Sequence, residues 1–329
     1  MGITFLEGFE DYADLTDLKT VYASSSTAGI SSSIYRTGTR SLNLGYYTAL
    51  VYTYPYDSLY MGCAVYHNSN WSFTTLLTMN PSHCKIEVNN GTKEFVYKDG
   101  ASSTTNLGVY APMQSWYYIE VYFERSVSGS PIVRINGSTV YSPTGVDCQY
   151  GTNYYTTGII IGPLDYTFID DFYIADDGFK GPLKVHTFVP DADGTYSNFT
   201  ALGAGSHYAE VDETPGPDYN TSYVEGDTQG DKDSFGITTS GITGPIKAVG
   251  LRNWVSGVGD GATKVTPFVR SNSTDYSGDE TGLLFSDYKG HTDIFDTDPD
   301  DSNPWTTTKL DNAEFGIEIT SLSTTTTTV

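Results

Sequence analysis

The chain has 329 residues, with 40 acidic against 17 basic side chains, a formal net charge of −23, 27 tyrosines and 34 glycines. A nucleic-acid-binding surface needs a basic footprint to displace counterions from phosphate, and this balance repels phosphate. A disordered acidic chain would be poor in aromatics, which here make up 14 % of the residues.

No run approaches the roughly 18 consecutive apolar residues of a membrane-spanning helix. The opening residues, MGITFLEGFEDYADL, carry neither a basic n-region nor an apolar h-region, so no secretory signal is expected. Helical periodicity is nearly missing. What recurs is short runs of β-branched and aromatic residues bounded by Gly, Pro, Asn, Asp and Ser, which predict strands. In chain order these are 60–66, 73–79, 116–124, 132–136, 158–161, 168–175, 183–189, 246–255, 264–270 and 315–320. Between them no segment is long and amphipathic enough to serve as a crossover helix, so the sheets are expected to be antiparallel. The pair Asn136-Gly137 predicts a type I′ turn between two strands. One short helix is expected over 206–212, with Ser206 as its N-cap.

The stretch 176–182 packs charge, two glycines and a proline between predicted strands, and places a domain boundary: 1–178, then 179–329. Charge shifts with it, from −8 over residues 1–180 to −15 over residues 181–329. The segment 293–304, DIFDTDPDDSNP, reads as a loop. Cys63, Cys84 and Cys148 show no CxxC spacing and are expected to be buried, reduced thiols.

Two series of residues point further. The first is Phe5-Leu6-Glu7-Gly8-Phe9-Glu10, then Arg36-Thr37-Gly38-Thr39-Arg40-Ser41-Leu42, the Trp116-led strand with its Asn-Gly turn, and GIIIGPLDYTFIDDFYI over 158–174. This succession resembles the concanavalin A-like lectin/glucanase jelly roll in its laminin-G-like form. The second is Asp191-Ala192-Asp193-Gly194, the 206–213 segment, Thr221–Glu225, Gly230–Ser234, Val269-Arg270-Ser271 and Thr274-Asp275-Tyr276. It looks like the C-terminal half of tailed-bacteriophage virion proteins, in which a lectin-like jelly roll precedes a second β-domain. The fold class implied is all-β: a concanavalin A-like antiparallel jelly-roll sandwich followed by a smaller β-rich domain for virion attachment or oligomerisation.

Candidate chemistry is sparse. Glucanases on this fold resemble one another through closely spaced acids on one strand face, and that triplet is missing. Glu120 and Glu124 share a face but lie roughly 13 Å apart along it, beyond either glycosidase geometry, and read as outward polar residues. In the lectin-like jelly rolls that the chain resembles, acids where the first and last strands approach can hold a structural Ca²⁺. Here those would be Glu10, Asp11, Asp170 and Asp171, which otherwise serve as hydrogen-bonded corner acids. Tyr52, Tyr54 and Tyr56 alternate along an extended segment, and with Trp71 they could stack a sugar ring or fill a core.

These readings lead to a non-enzymatic virion structural protein, made in the host cytoplasm without a secretion signal, decorating the capsid or belonging to a tail appendage. It requires no cofactor; a structural Ca²⁺ at those acids is the one ion that the resemblance allows. Its expected partners are other virion proteins and copies of itself, and neither nucleic acid nor membrane. A Tyr-rich, Lys-poor surface suits such contacts. The alternative is a carbohydrate-binding host-recognition module that takes a host-surface glycan; a glycan hydrolase ranks below both.

Overall fold

The computed structural model describes residues 2–322 except 22, 25–28, 45–49, 53–57, 69–72, 81–83, 90, 149–157, 162–166, 204, 258–261 and 284–286. The chain divides into two compact units, Met1–His186 and Thr187–Val329. Both are all-β with antiparallel pairing.

The first unit is a jelly-roll sandwich of two sheets. One runs in the order Ser138–Tyr141, Ile132–Ile135, Trp116–Glu124, Ser58–His67, Thr167–Ala175, Ser41–Leu44 and Gly29–Ser31. Ile3–Glu7 also pairs with Thr167–Ala175. The other runs Thr104–Tyr110, Glu94–Lys98, Lys85–Asn89, Phe73–Asn80, Gly158–Ile161, Leu50–Tyr52 and Ala23–Ser24. Alternation decides which side chains meet between them: Tyr117, Ile119, Val121 and Phe123 are all buried on one face of their strand. Across the gap, Phe95 of the second sheet meets Tyr117 edge-on at 5.1 Å between ring centroids. The predicted Asn136-Gly137 turn joins Ile132–Ile135 to Ser138–Tyr141, with φ of 50° and 83° as a type I′ turn requires.

The second unit is built on a sheet ordered Ala192–Ser197, Lys232–Gly236, Glu314–Leu322, Ala262–Ser271 and Thr274–Ser277, with Thr281–Gly282 also paired to Ala262–Ser271. Val249–Val255 pairs with Lys289–Phe295 as a separate ribbon. Trp305 anchors a core of Val269, Leu310, Ala313 and Phe315, with Leu251 and Phe295 of the ribbon against it. Gly316 is demanded by close approach, since a Cβ there would sit 2.3 Å from the Asp233 carbonyl oxygen and 2.5 Å from the Phe268 ring.

Several expectations are corrected. The stretch 183–189, read as a strand, belongs to no strand and joins no ladder. Asp293 lies within the strand Lys289–Phe295, paired with Leu251, and does not open a loop. The helix expected over 206–212 is a 3-10 turn, His207–Glu210; Ser206 has the extended N-cap backbone, yet its side chain makes no cap bond. Two short helices escape the periodicity argument, Leu15–Val21 and Thr307–Asn312, the latter capped by the Thr306 side chain accepting from Lys309 N–H. Cys63, Cys84 and Cys148 are all buried and unbridged.

Candidate functional site

The densest polar chemistry in the first unit lies on the outer face of the sheet containing Thr167–Ala175. Simple alternation would send Asp170 and Asp171 to opposite faces. A bulge changes this. The register with Ser58–His67 slips between Asp170 and Tyr173, and Asp171 takes a left-handed φ of 51°. Both carboxylates then serve the same neighbours. The bulge also falls where the strand changes partner, from Ser41–Leu44 beside residues 167–169 to Ile3–Glu7 beside residues 172–175. The Arg36–Arg40 loop is held at this change of partner.

Asp170 Oδ2 accepts from the backbone N–H groups of Arg36 (2.7 Å) and Thr37 (3.0 Å), and its Oδ1 accepts from Asp171 N–H (2.8 Å). Asp171 Oδ2 accepts from the Arg36 guanidinium and from Thr37 Oγ1 (2.9 Å), while its Oδ1 accepts from Val185 N–H (2.7 Å). Arg36 also donates to the Leu183 carbonyl and lies over the Tyr118 ring, 5.1 Å from its centroid. Tyr118 in turn donates its hydroxyl to the Asp171 carbonyl at 3.0 Å. Neither Asp side chain is exposed to solvent. Burial and the adjoining Asp171 carboxylate push the Asp170 pKa up to about 8, against three backbone N–H donors that favour the charged form.

A second clamp lies on the same face. Glu120 Oε1 accepts from the Tyr173 hydroxyl (2.7 Å) and from Gly181 N–H (2.8 Å), and Oε2 faces Arg134 at 3.5 Å. Tyr173 also accepts from Lys180 N–H at 3.0 Å, so its phenol is held from both sides; burial and the nearby Glu120 push its pKa up. The ring lies against Gly62, where a Cβ would stand 2.3 Å from it. Glu120 lies on the outer face as expected of an outward polar residue, but it is fully buried there. What covers it is the segment 177–186, a strap whose N–H groups end on Glu120, Tyr173 and Asp171. Outside a ladder, backbone groups must find other partners, and here buried side chains supply them.

Glu10 performs a related task nearby. Its Oε2 accepts from Thr39 N–H and Oγ1, both at 2.9 Å, and Oε1 accepts from Arg40 N–H at 3.0 Å. Gly38 has a φ of 65°, and a Cβ there would collide with the Glu10 carboxylate at 2.3 Å. Asp11 is half-buried and has interactions of its own. Three of the four acids of the calcium expectation, Glu10, Asp170 and Asp171, thus gather around one loop, but the donor set does not suit a cation. Six N–H or O–H groups already occupy the Asp170 and Asp171 oxygens. Among the described residues no group of three His, Cys, Asp or Glu could hold a metal. A melting temperature unchanged between excess calcium and excess chelator is therefore expected; a rise of several degrees with calcium would restore the cation.

The stacking candidates Tyr54, Tyr56 and Trp71 lie outside the described residues, as does the Tyr52 side chain. Sequence reasoning missed Arg36, Tyr118, Arg134 and Tyr173 as site residues. The signal was the run Arg36-Thr37-Gly38-Thr39-Arg40, a polar loop with two cations and a glycine facing the Asp pair. In the second unit a polar cleft of about 420 Å³ is lined by Arg270, Asp298, Asp300, Asp301, Lys309 and Glu314. Its charges are largely paired within the unit: Lys309 reaches Asp301 at 2.6 Å and Asp298 at 3.0 Å, and Arg270 reaches Asp275 at 2.7 Å.

No protein-family model and no curated protein matches this chain. Solved structures similar to it include a cellulose-induced protein, Cip1, at 13 % identity and a TM-score of 0.40, over 52 % of this chain and 96 % of that one. A carbohydrate esterase from the Shiga toxin-encoding bacteriophage phi24B is similar at 12 % identity and a TM-score of 0.38, over 53 % of this chain and 100 % of that one. A galectin of Caenorhabditis elegans is similar at 10 % identity and a TM-score of 0.30, over 40 % of this chain and 94 % of that one. Likenesses this distant carry no argument about activity.

Proposed function

We propose that this chain is a non-enzymatic structural protein of a tailed-bacteriophage virion, decorating the capsid or forming part of a tail appendage. The observation that carries the reading is the use made of the acids. Glu10, Glu120, Asp170 and Asp171, the carboxylates best placed for chemistry, are bound to backbone N–H groups and close a loop and a strap onto a sheet. Glycoside hydrolysis would need two carboxylates flanking a groove with room for a sugar and a water. Carboxylates spent on backbone favour a rigid scaffold that presents a surface. In this reading the protein is made in the host cytoplasm and incorporated into the particle. The second unit supplies attachment to other virion proteins or to further copies of the chain.

Two measurements test it together: the mass of the purified protein in solution by light scattering, and the protein content of purified particles by mass spectrometry. An assembly of several chains and its presence in particles are expected. A monomer that is missing from particles removes the reading.

One observation favours the carbohydrate-binding alternative. Phe168, Tyr66 and Trp116 occupy registered positions on three adjacent strands, with ring centroids 5.8 and 5.5 Å apart, and Tyr66 and Trp116 are only half-buried. Such a stripe presents two half-buried rings, inclined at 52° to each other, as an aromatic contact for a sugar. A glycan array that stays dark with folded protein eliminates this alternative.

A further inference from the structure

The three cysteines occupy different surroundings. Cys63 faces the core from the centre of Ser58–His67, where burial pushes its thiol pKa up. Cys84 and Cys148, far apart in sequence, meet at one phenol. Tyr97 donates its hydroxyl to Cys84 Sγ at 2.9 Å, and the same oxygen lies 3.4 Å from Cys148 Sγ. The two sulfurs can be separated by no more than the sum of these distances. The backbone fixes both. Cys84 leads into Lys85–Asn89, whose Ile86 is registered opposite Tyr97. The segment 146–148 is pinned by Val146 to Gly129, Asp147 to Gly100 and Cys148 to Ser126, at 2.8–3.0 Å. Gly129 leaves room for the sulfur, since a Cβ there would lie 3.3 Å from Cys148 Sγ.

We propose that Cys84 and Cys148 are a modification site: a dithiol that hydrogen peroxide converts to an intrachain disulfide, joining two loops of the first unit. The proposal stands apart from the function proposed above. Cys148 is the attacking sulfur, because its contacts with Cys84 and Tyr97 lower its pKa, whereas the contact with Cys148 and burial raise that of Cys84. The Cys148 thiolate attacks one peroxide oxygen, the O–O bond breaks, and the departing hydroxide takes up a proton as water, leaving a sulfenic acid. The Cys84 sulfur then displaces the hydroxyl. The S–S bond forms, the S–O bond breaks, and a second water leaves with the Cys84 proton. Two thiols are oxidised by two electrons in all, and one peroxide is reduced to two waters.

The test uses the full chain with stoichiometric hydrogen peroxide. Thiols titrated after denaturation should fall from three to one. Intact mass should drop by about 2 Da, as removal of two hydrogens requires. Peptide mapping should join Cys84 to Cys148, and dithiothreitol should reverse the change. The melting temperature should rise, because the bridge restricts the unfolded chain. Cys63→Ser should behave identically, and Tyr97→Phe should close several-fold more slowly. Cys84→Ser should give a sulfenic acid at Cys148 that dimedone traps. A bridge through Cys63, a bridge between chains, oxygen adducts without the mass loss, or three thiols left untouched would each overturn the proposal.

Discussion

Replacing Asp171 by alanine is expected to cost the first unit about 3–5 kcal/mol, because it strips a buried ion pair of one partner. The carboxylate is fully buried and receives Arg36, Thr37 and Val185. Alanine would leave the Arg36 guanidinium facing a hole and Val185 N–H without an acceptor. It would also have to hold the left-handed backbone of the bulge, which Asp and Asn tolerate better than Ala. Asp171→Asn keeps that tolerance and the shape but removes the charge, so it isolates the electrostatic part. Urea unfolding measures the loss. Trypsin supplies a local readout, since Lys180 and Lys184 lie in the strap and cleavage there should accelerate. Asp177→Ala is the control: its carboxylate pairs with Lys180 at the surface with 45 % of the side chain exposed, and a pair of that kind contributes about 0–1 kcal/mol. A loss below about 1 kcal/mol for Asp171→Ala, with strap cleavage unchanged, would mean that the ion pair does not hold the strap.

Trp305→Ala is expected to destabilise the second unit by about 3–5 kcal/mol, the usual cost of emptying a large buried site. The indole is only 2 % exposed and packs on Val269, Leu310, Ala313 and Phe315. Its N–H donates to the Phe295 carbonyl at 3.0 Å, so the substitution also orphans an acceptor on the ribbon strand. Trp305→Phe keeps most of the volume and should lose less than half as much. Because each unit has its own core, hydrogen exchange should accelerate in Glu314–Leu322 and Lys232–Gly236 and remain slow in Trp116–Glu124. Equal acceleration in both units would show that they open as one.

The two substitutions act through different terms. Asp171 matters for a charge that the fold has desolvated and must keep paired, whereas Trp305 matters for volume and apolar area. Only the second is suggested by residue type alone. A tryptophan beside Pro304 and Thr306 is a reasonable anchor from sequence. An aspartate pair in an aromatic strand reads as hydrogen-bonded corner acids or as calcium ligands, and residue type does not say which backbone donors it meets.

Much of the architecture was determined by the sequence itself. Runs of alternating β-branched and aromatic residues place Trp116–Glu124 and Gly158–Ile161 at their observed bounds, and Asn136-Gly137 specifies its turn. These are local matters: side-chain period and backbone dihedrals depend on a few neighbouring residues. The antiparallel class follows as well, since no crossover helices lie between the strands.

The strap and the acid face were decided only by tertiary structure. Residues 183–189 have the composition of a strand, but a strand exists only beside a partner, and here Asp171 and Arg36 take the bonds a neighbour would have supplied. The bulge at Asp171 adds one residue to the register, which turns two adjacent acids toward one loop and defeats the period-two argument. Cys84 and Cys148 share Tyr97 because a ladder and a set of loop bonds bring distant segments together. In each case the deciding contact spans many residues of chain. A local pattern carries the preference for extended backbone, and the folded sheet selects which buried donor meets which acceptor.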